Sequence, residues 1–182
     1  DFIIPSIKDM NAEKVVDIYE NMRPFFPSFQ DNRQTTIVAP KLENILDNFD
    51  ALLLDAFGVL NIGNTAIEGV PERVSKLQSI GKRVIVVSNA GGFPHALLMK
   101  KYADLGYNFD TEDVITSRKA LLRGLSELPT QKYGLMATES LGRADLENIN
   151  ITYLSENIID YDHSDAFLLL GSAVWTEDRQ EM

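Results

Sequence analysis

The feature that most constrains the fold is an apolar run that ends at one acidic residue. Residues 51–54 read Ala-Leu-Leu-Leu, Asp55 follows them, and residues 56–60 continue as Ala-Phe-Gly-Val-Leu. An unbroken apolar run of this kind predicts a strand that is buried on both faces, as in a parallel sheet. The strand would present Asp55 at its carboxyl end, which is where open α/β sheets bind their ligands.

A second apolar run ends at a hydroxyl group. Residues 82–92 read Lys-Arg-Val-Ile-Val-Val-Ser-Asn-Ala-Gly-Gly, so Ser88, Asn89 and two glycines follow another predicted buried strand. A helix-length segment separates the two runs, which predicts a right-handed β-α-β unit with parallel strands. We therefore expect Asp55 and Ser88 to lie side by side.

The rest of the chain shows alternating helical and extended patterns, with proline or glycine at many of the boundaries. Helices are predicted at residues 6–22, 40–48, 70–80, 94–105 and 117–125, the last of them capped by Ser117. A third short strand is predicted at residues 113–116, and from about residue 126 the pattern changes to a second α/β unit. Its predicted elements are strands at 133–138, 151–154 and 166–171 and a short helix at 141–148.

Composition limits the partners that the chain can have. It carries 27 acidic and 17 basic residues, a formal charge of -10, which argues against nucleic acid and anionic membranes as partners. No apolar run is long enough to span a membrane. The chain has no cysteine, which excludes disulfides and thiolate chemistry and fits a cytoplasmic location. The two histidines, His95 and His163, are far apart in sequence, and we expect them in loop or surface roles.

The residues at the two strand ends have a chemistry in common. A carboxylate at position 55 can attack a phosphorus or carbon centre, and backbone N–H groups of the following turn, including Gly58, can hold the resulting anion. Ser88 and Asn89 can hydrogen-bond the group that is transferred. Carboxylate and carbonyl oxygens are the ligands that Mg²⁺ prefers, so a magnesium ion would suit this edge.

These segments resemble the motifs of the haloacid dehalogenase superfamily of hydrolases. The sequence Asp55-Ala56-Phe57-Gly58-Val59-Leu60 looks like the first motif of that superfamily, and residues 84–89 look like the second. The likeness is closest to its nitrophenylphosphatase-like and sugar-phosphatase-like branch. Segments comparable to that branch are Glu68-Gly69-Val70-Pro71, Gly81-Lys82-Arg83, Ser88-Asn89 and Val114-Ile115-Thr116-Ser117.

The resemblance implies a fold and a division of the chain. It implies a three-layer Rossmann-like α/β core with a mainly parallel sheet and the start of an inserted α/β cap. The expected parts are a helical arm at residues 1–49, the first part of the core at 50–125 and a partial cap at 126–182. Because the later lysine and acidic motifs of the family would lie beyond residue 182, we expect the chain to be an N-terminal portion. Caps of this branch often pair between subunits, so a homodimer is also expected.

The resemblance also implies an activity and a set of site residues. Asp55 would be the nucleophile of a magnesium-dependent phosphatase that acts on a small phosphorylated metabolite, such as a sugar phosphate or an aryl phosphate. Asp55 and the main-chain carbonyl of Phe57 would be ligands of Mg²⁺. Ser88, Asn89 and Gly58 would bind the substrate.

Phe57 leaves the chemistry open. Phosphatases of the superfamily usually carry a second Asp at this position as the general acid, and an aromatic ring cannot transfer a proton. Dehalogenases also carry an aromatic residue there, so Phe57 fits halide displacement by Asp55. It also fits a phosphatase in which another residue transfers the proton. A family member that only binds a metabolite or a partner protein would tolerate the same substitution.

Overall fold

A computed structural model of the chain describes residues 10–28, 38–141, 143–176 and 178–179. The chain forms two compact units, residues 1–40 and residues 41–182. In the first unit, the Asn11 side chain accepts a hydrogen bond from the Lys14 amide at 2.9 Å and caps the first helix. The predicted start of this helix at residues 6–9 lies outside the described residues. The division into arm, core and cap at residues 49/50 and 125/126 stays a prediction.

The described residues form five α-helices and eight strands. The helices are α1 (Ala12–Met22), α2 (Val70–Ser79), α3 (His95–Asp104), α4 (Ser117–Leu125) and α5 (Ile158–Asp162). The strands are β1 (Ala51–Leu54), β2 (Asn61–Ile62), β3 (Thr65–Ala66), β4 (Arg83–Ser88), β5 (Val114–Thr116), β6 (Tyr133–Met136), β7 (Ile151–Tyr153) and β8 (Ala166–Leu169). No described helix is both long enough and apolar enough to cross a bilayer.

The first sheet contains the two strands that the apolar runs predict. Its strand order is β1-β4-β5, and both pairs are parallel. Leu54 pairs with Val86, and Ser88 pairs with Thr116, so all three strands end at one edge. The β1-α2-β4 and β4-α3-β5 connections confirm the expected α/β fold with parallel strands.

One face of the first sheet is covered and the other is open. Apolar side chains of α2 and α3 pack with β4 and β5 in the first hydrophobic core, which includes Val74, Leu77, Val84, Val86, Leu98, Tyr102 and Val114. On the opposite face, Leu53 is 68% exposed. Within the described residues, the expected burial of the strand before Asp55 on both faces is not seen, because the α-helices that pack on this sheet cover one of its faces.

The second sheet has the order β7-β6-β8, with both pairs parallel. Three leucines of α4 pack against its core, and every residue of β6 is buried. The three predicted strands of this region are confirmed. The second sheet belongs to the same compact unit as the first.

Several predicted local elements are wrong in detail. The segment predicted as a helix at 40–48 forms two short 3₁₀ turns, Leu42–Asn44 and Leu46–Asn48. The segment 141–148 contains turns and no α-helix among its described residues. The cap of α4 is Thr116, whose hydroxyl accepts from the Lys119 amide at 3.1 Å, and not the predicted Ser117. Thr116 is the residue immediately before α4, so its hydroxyl is in the N-cap position that hydroxyl residues favour.

Candidate active site

Asp55 follows β1 directly and begins a tight turn. The Ala56 carbonyl accepts hydrogen bonds from three amides that follow it in the turn, at 2.8 to 3.3 Å. Gly58 has a φ of +83°, in the left-handed region that glycine adopts without strain. The Gly58 amide donates to the Asn61 carbonyl at 2.9 Å. Ala56 is buried and Asp55 is exposed, so the turn presents the carboxylate at the surface.

The far end of this turn is anchored in the first core. Leu60 is fully buried, and its carbonyl accepts a hydrogen bond from the buried Tyr107 hydroxyl at 2.5 Å. The Asn61 side chain, which is 4% exposed, donates to the Gly63 carbonyl at 2.7 Å. A β2-β3 hairpin follows. The position of Asp55 is thus fixed from both sides of the turn.

Ser88 ends β4 and begins the loop 88–92. The Ser88 side chain lies on the same face as Val84 and Val86 and is 9% exposed. Its hydroxyl accepts a hydrogen bond from the Ala90 amide at 3.2 Å. The next residue, Asn89, is exposed, and its carbonyl accepts from the Ser117 hydroxyl at 3.1 Å.

Asp55 and Ser88 line one open hollow at the carboxyl edge of the first sheet. The hollow has a volume of about 630 Å³. It is lined by Leu53, Leu54, Asp55, Val87, Ser88, Asn89, Ile115, Thr116, Ser117 and Ala120. Because Leu54 pairs with Val86, Asp55 stands one residue further at the level of Val87, and Ser88 follows. Both residues therefore stand at the carboxyl edge of the first sheet, and both line the hollow.

A buried tyrosine of α3 lies beneath this edge. Tyr102 is 1% exposed, and its buried hydroxyl lies near the Ser88 hydroxyl, although no hydrogen bond of normal geometry joins it to a described residue. Burial raises the pKa of Tyr102, the negative charge of Asp55 raises it further, and the Ser88 hydroxyl lowers it. Tyr102 therefore stays protonated at neutral pH and lies within the electrostatic reach of both predicted site residues.

The donor set suits a divalent cation only in part. Asp55 supplies one carboxylate, and Phe57 follows it in the turn with a main-chain carbonyl. Among the described residues, no group of three or more His, Asp or Glu side chains could hold a metal ion. Oxygen donors of this kind match Mg²⁺, which proteins often bind through one or two carboxylates together with water and substrate phosphate. The described residues thus fit part of a site for a divalent cation.

The other predicted site residues lie around the same turn and loop. The Phe57 ring is 67% exposed, and the Gly58 amide is already engaged within the turn. Their contributions to metal and substrate binding stay predictions. Two lining residues at the end of β5, Thr116 and Ser117, are absent from the predicted site. The signal for them was present, since the third predicted strand also ends in hydroxyl residues at the same edge.

The parallel sheet, the acidic residue at its carboxyl edge and the neighbouring hydroxyl define a hydrolase-like site on an α/β fold. A model of the haloacid dehalogenase-like hydrolase family matches residues 52–152, more than half of the chain. The chain therefore belongs to this family.

Curated relatives of the chain are phosphatases. The chain is 27% identical over 139 residues to phosphoglycolate phosphatase 1A, chloroplastic, of Arabidopsis thaliana. The aligned part covers 74% of this chain and 38% of that relative. It is 26% identical over 115 residues to a 4-nitrophenylphosphatase of Schizosaccharomyces pombe, covering 62% of this chain and 39% of the relative. The chain thus spans well under half the length of these relatives.

Solved structures show the same fold. A possible sugar phosphatase from Cytophaga hutchinsonii superposes with a TM-score of 0.62 at 18% identity, over 74% of this chain and 49% of that one. A 4-nitrophenylphosphatase from Thermotoga maritima gives 0.57 at 19% identity, over 75% and 50%. A glycerol phosphate phosphatase from Mycobacterium tuberculosis, solved in complex with calcium, gives 0.55 at 21% identity, over 75% and 40%.

Proposed function

We propose that the whole protein is a phosphatase that hydrolyses small phosphate esters and uses Asp55 as its nucleophile. The observation that carries the proposal is the shared hollow of about 630 Å³, which both Asp55 and Ser88 line at the ends of adjacent parallel strands. Membership of the hydrolase family and the phosphatase names of the matched relatives support the same reaction.

The proposed reaction has two steps. An Asp55 carboxylate oxygen attacks the phosphorus atom, the bond from phosphorus to the ester oxygen breaks, and the leaving oxygen takes a proton from water, which leaves a hydroxide ion. A second water molecule then attacks the aspartyl phosphate, which releases inorganic phosphate and restores the carboxylate, and the proton that this water loses neutralises the hydroxide. Ser88 and Asn89 donate hydrogen bonds to the phosphoryl oxygens as negative charge develops on them.

A divalent ion belongs to this proposal, and Mg²⁺ is the ion that we propose. Asp55 and the Phe57 carbonyl would hold it, and the bound ion would neutralise negative charge between the carboxylate and an anionic substrate. The open position of Asp55 fits this role, since its side chain is exposed and lines the hollow.

Phe57 predicts which esters react well. With no acidic side chain two residues after Asp55, the leaving oxygen has no protein acid at that position, so esters of acidic alcohols should react best. An aryl phosphate such as 4-nitrophenyl phosphate leaves as a stabilised phenolate and needs little protonation. The aromatic residue at position 57 also favours halide displacement as a second candidate, because a halide ion leaves without a proton and needs no general acid.

The test compares leaving groups in the whole protein with Mg²⁺. We expect Asp55-dependent release of phosphate from 4-nitrophenyl phosphate, and Asp55→Asn should lower it by about 10³-fold or more. Phe57→Asp should raise hydrolysis of an alkyl phosphate by about tenfold or more, because it restores a general acid. The same variant should change hydrolysis of the aryl ester less.

Two different results would each point to another function. Release of halide from a 2-haloacid, lost in Asp55→Asn, together with no release of phosphate would replace the phosphatase with a dehalogenase. Binding of a phosphorylated metabolite without turnover in either assay would indicate a protein that only binds its ligand.

The metal dependence of the phosphatase is tested separately. Chelation of divalent ions by EDTA should abolish phosphate release, and added Mg²⁺ should restore it better than added Ca²⁺.

Three further properties follow as proposals from the same family resemblance. Residues 126–182 would be the start of a substrate-selecting cap, and the cap would pair in a homodimer. A chain without cysteine suits a reducing compartment, for which we propose the cytoplasm. The chloroplastic name of one matched relative makes cell fractionation the direct check.

A further inference from the structure

A buried arginine connects the loop after β4 to the turn before β7. Arg118, the second residue of α4, is 3% exposed. Its Nη1 atom donates to the Gly91 carbonyl at 3.2 Å, and its Nη2 atom donates to the Ala144 carbonyl at 2.7 Å. Its Nε atom lies 3.4 Å from Oδ2 of Asp145. A guanidinium group can contact three acceptors at once because its donors point in fixed, different directions.

The carboxylate that faces Arg118 is itself fixed. Oδ2 of Asp145 accepts a hydrogen bond from the amide of His95, the first residue of α3, at 2.7 Å. Asp145 has a φ of +69° and is the single non-glycine residue with positive φ in the described part of the chain. A backbone conformation of this kind persists only where the surrounding contacts hold it. The Arg118 and Asp145 pair therefore connects the beginning of α3, the beginning of α4 and the turn before β7.

The loop 88–92, which Arg118 contacts, also packs closely against other parts of the chain at Gly91. A Cβ atom on Gly91 would lie 2.5 Å from the Leu170 carbonyl oxygen and 3.2 Å from the Ser117 hydroxyl. The loop thus lies directly against the chain that leaves β8. The Ser117 hydroxyl also bonds the Asn89 carbonyl at 3.1 Å. Two consecutive residues of α4 therefore hold two carbonyl groups of the loop 88–92.

We propose that Arg118 is a positioning residue for phosphate capture. It holds the loop 88–92 against Ala144 and Asp145, and so sets the positions of Ser88 and Asn89 that bind the phosphoryl group. The proposal rests on the function proposed above for Asp55 and Ser88. It adds that the strength of phosphate binding depends on a guanidinium group that does not line the hollow.

The test measures binding and turnover together in the whole protein. In Arg118→Ala we expect the Kd for inorganic phosphate, measured by calorimetry, and the KM for 4-nitrophenyl phosphate to rise by about tenfold or more, because the binding groups are misplaced. Arg118→Lys keeps a charge beside Asp145 but cannot reach all three acceptors, so it should recover part of the loss. Gly91→Ala keeps Arg118 and displaces the loop directly, so it should raise both constants as well.

The control separates positioning from loss of stability. Leu135→Ala removes a fully buried side chain of β6, so it lowers the melting temperature without touching the loop 88–92. At a temperature where all variants are folded, Leu135→Ala should keep the wild-type Kd and KM. If Arg118→Ala and Gly91→Ala change these constants no more than Leu135→Ala does, the positioning role is refuted.

The two proposals fail in different ways. A wild-type protein that binds phosphate without Asp55-dependent hydrolysis would refute the proposed phosphatase activity. The role of Arg118 could then still be tested by comparing the Kd for phosphate between the wild type and the variants. A wild-type protein that neither binds phosphate nor hydrolyses the ester would overturn both. If Arg118→Ala does not fold, Gly91→Ala and Arg118→Lys decide the question.

Discussion

The central strands of the two parallel sheets differ in how their faces are covered. In β4, burial alternates, and Val87 is 43% exposed beside the fully buried Val86. In β6, every residue is buried, and Leu135 is fully buried. Both strands are apolar and both lie between two parallel neighbours. The face of β4 that stays open is the face that carries the hollow with Asp55.

The difference indicates that an apolar strand does not by itself determine how many of its faces are covered. Coverage comes from helices and loops that pack on it, and these are encoded elsewhere in the chain. The leucines of α4 and the side chains around Leu154 cover the two sides of β6. Among the described α-helices, only α2 and α3 contribute side chains to the first core. We expect stability to depend on the covered faces and chemistry to depend on the open edge.

The largest expected difference is between two leucine-to-alanine substitutions, one at a buried position of the second sheet and one at an exposed position of the first. Leu135→Ala should lower the free energy of unfolding by about 3 kcal/mol, because it removes a fully buried side chain and leaves a cavity. Leu53→Ala, at a 68% exposed position of β1, should lower it by less than about 0.5 kcal/mol. Urea unfolding of the 182-residue chain measures both. Equal losses in the two variants would refute the contrast between the faces.

An effect of intermediate size on the free energy of unfolding is expected when a glycine of β6 is replaced by alanine. A Cβ atom on Gly134 would lie 2.8 Å from side-chain atoms of Leu154 and Ser164 and 2.9 Å from the Phe167 ring. Gly134→Ala should therefore lower the free energy of unfolding by about 1 to 3 kcal/mol. Gly124→Ala is the matched control in α4, where a Cβ atom meets nothing within 4 Å. It should raise stability by about 0.5 to 1 kcal/mol, and a loss of stability there would contradict this account of close packing.

The smallest effect should appear at high pH on the covered side of β4. Because burial and the charge of Asp55 raise the pKa of Tyr102 above its usual value of 10.0, the unfolded chain loses this proton at a lower pH than the folded protein. The corresponding stability is fully present below about pH 10 and is lost as the pH rises through the pKa of the folded protein. Tyr102→Phe should make the fall in unfolding free energy above about pH 10 less steep than in the wild type.

The control for that measurement is Tyr19→Phe, which removes a phenol at a 62% exposed position. Its unfolding curves across the same pH range should follow those of the wild type. An identical slope for Tyr102→Phe and the wild type would contradict the buried, uncharged state of this hydroxyl.

The sequence predicts the order of the main elements well and their surroundings less well. Strands with long apolar runs, such as those ending at Asp55 and Ser88, are marked by local residue type alone, and their parallel pairing follows from the helix between them. The coverage of each face is decided by contacts between distant parts of the chain. For the same reason, the segment 40–48 has a helical composition but forms 3₁₀ turns.

The candidate site shows the same division. Asp55 and Ser88 could be identified because each ends a recognisable strand, and the structure places both at one hollow. Tyr102 and Arg118 could not be identified, because each lies within an ordinary amphipathic helix pattern. The role of Tyr102 depends on the burial of its hydroxyl. The role of Arg118 depends on hydrogen bonds to carbonyl groups that are 26 and 27 residues away in sequence.

The hydrogen bond from Tyr107 to the turn after Asp55 affects how this turn could be redesigned. The acceptor is the main-chain oxygen of Leu60, so no exchange of side chain at that position deletes it. Loop grafts that replace residues 57–59 would inherit the same anchor as long as the phenol at 107 is retained. Variants at position 57 that aim at other leaving groups would therefore keep the hydrogen bond between Tyr107 and the Leu60 carbonyl.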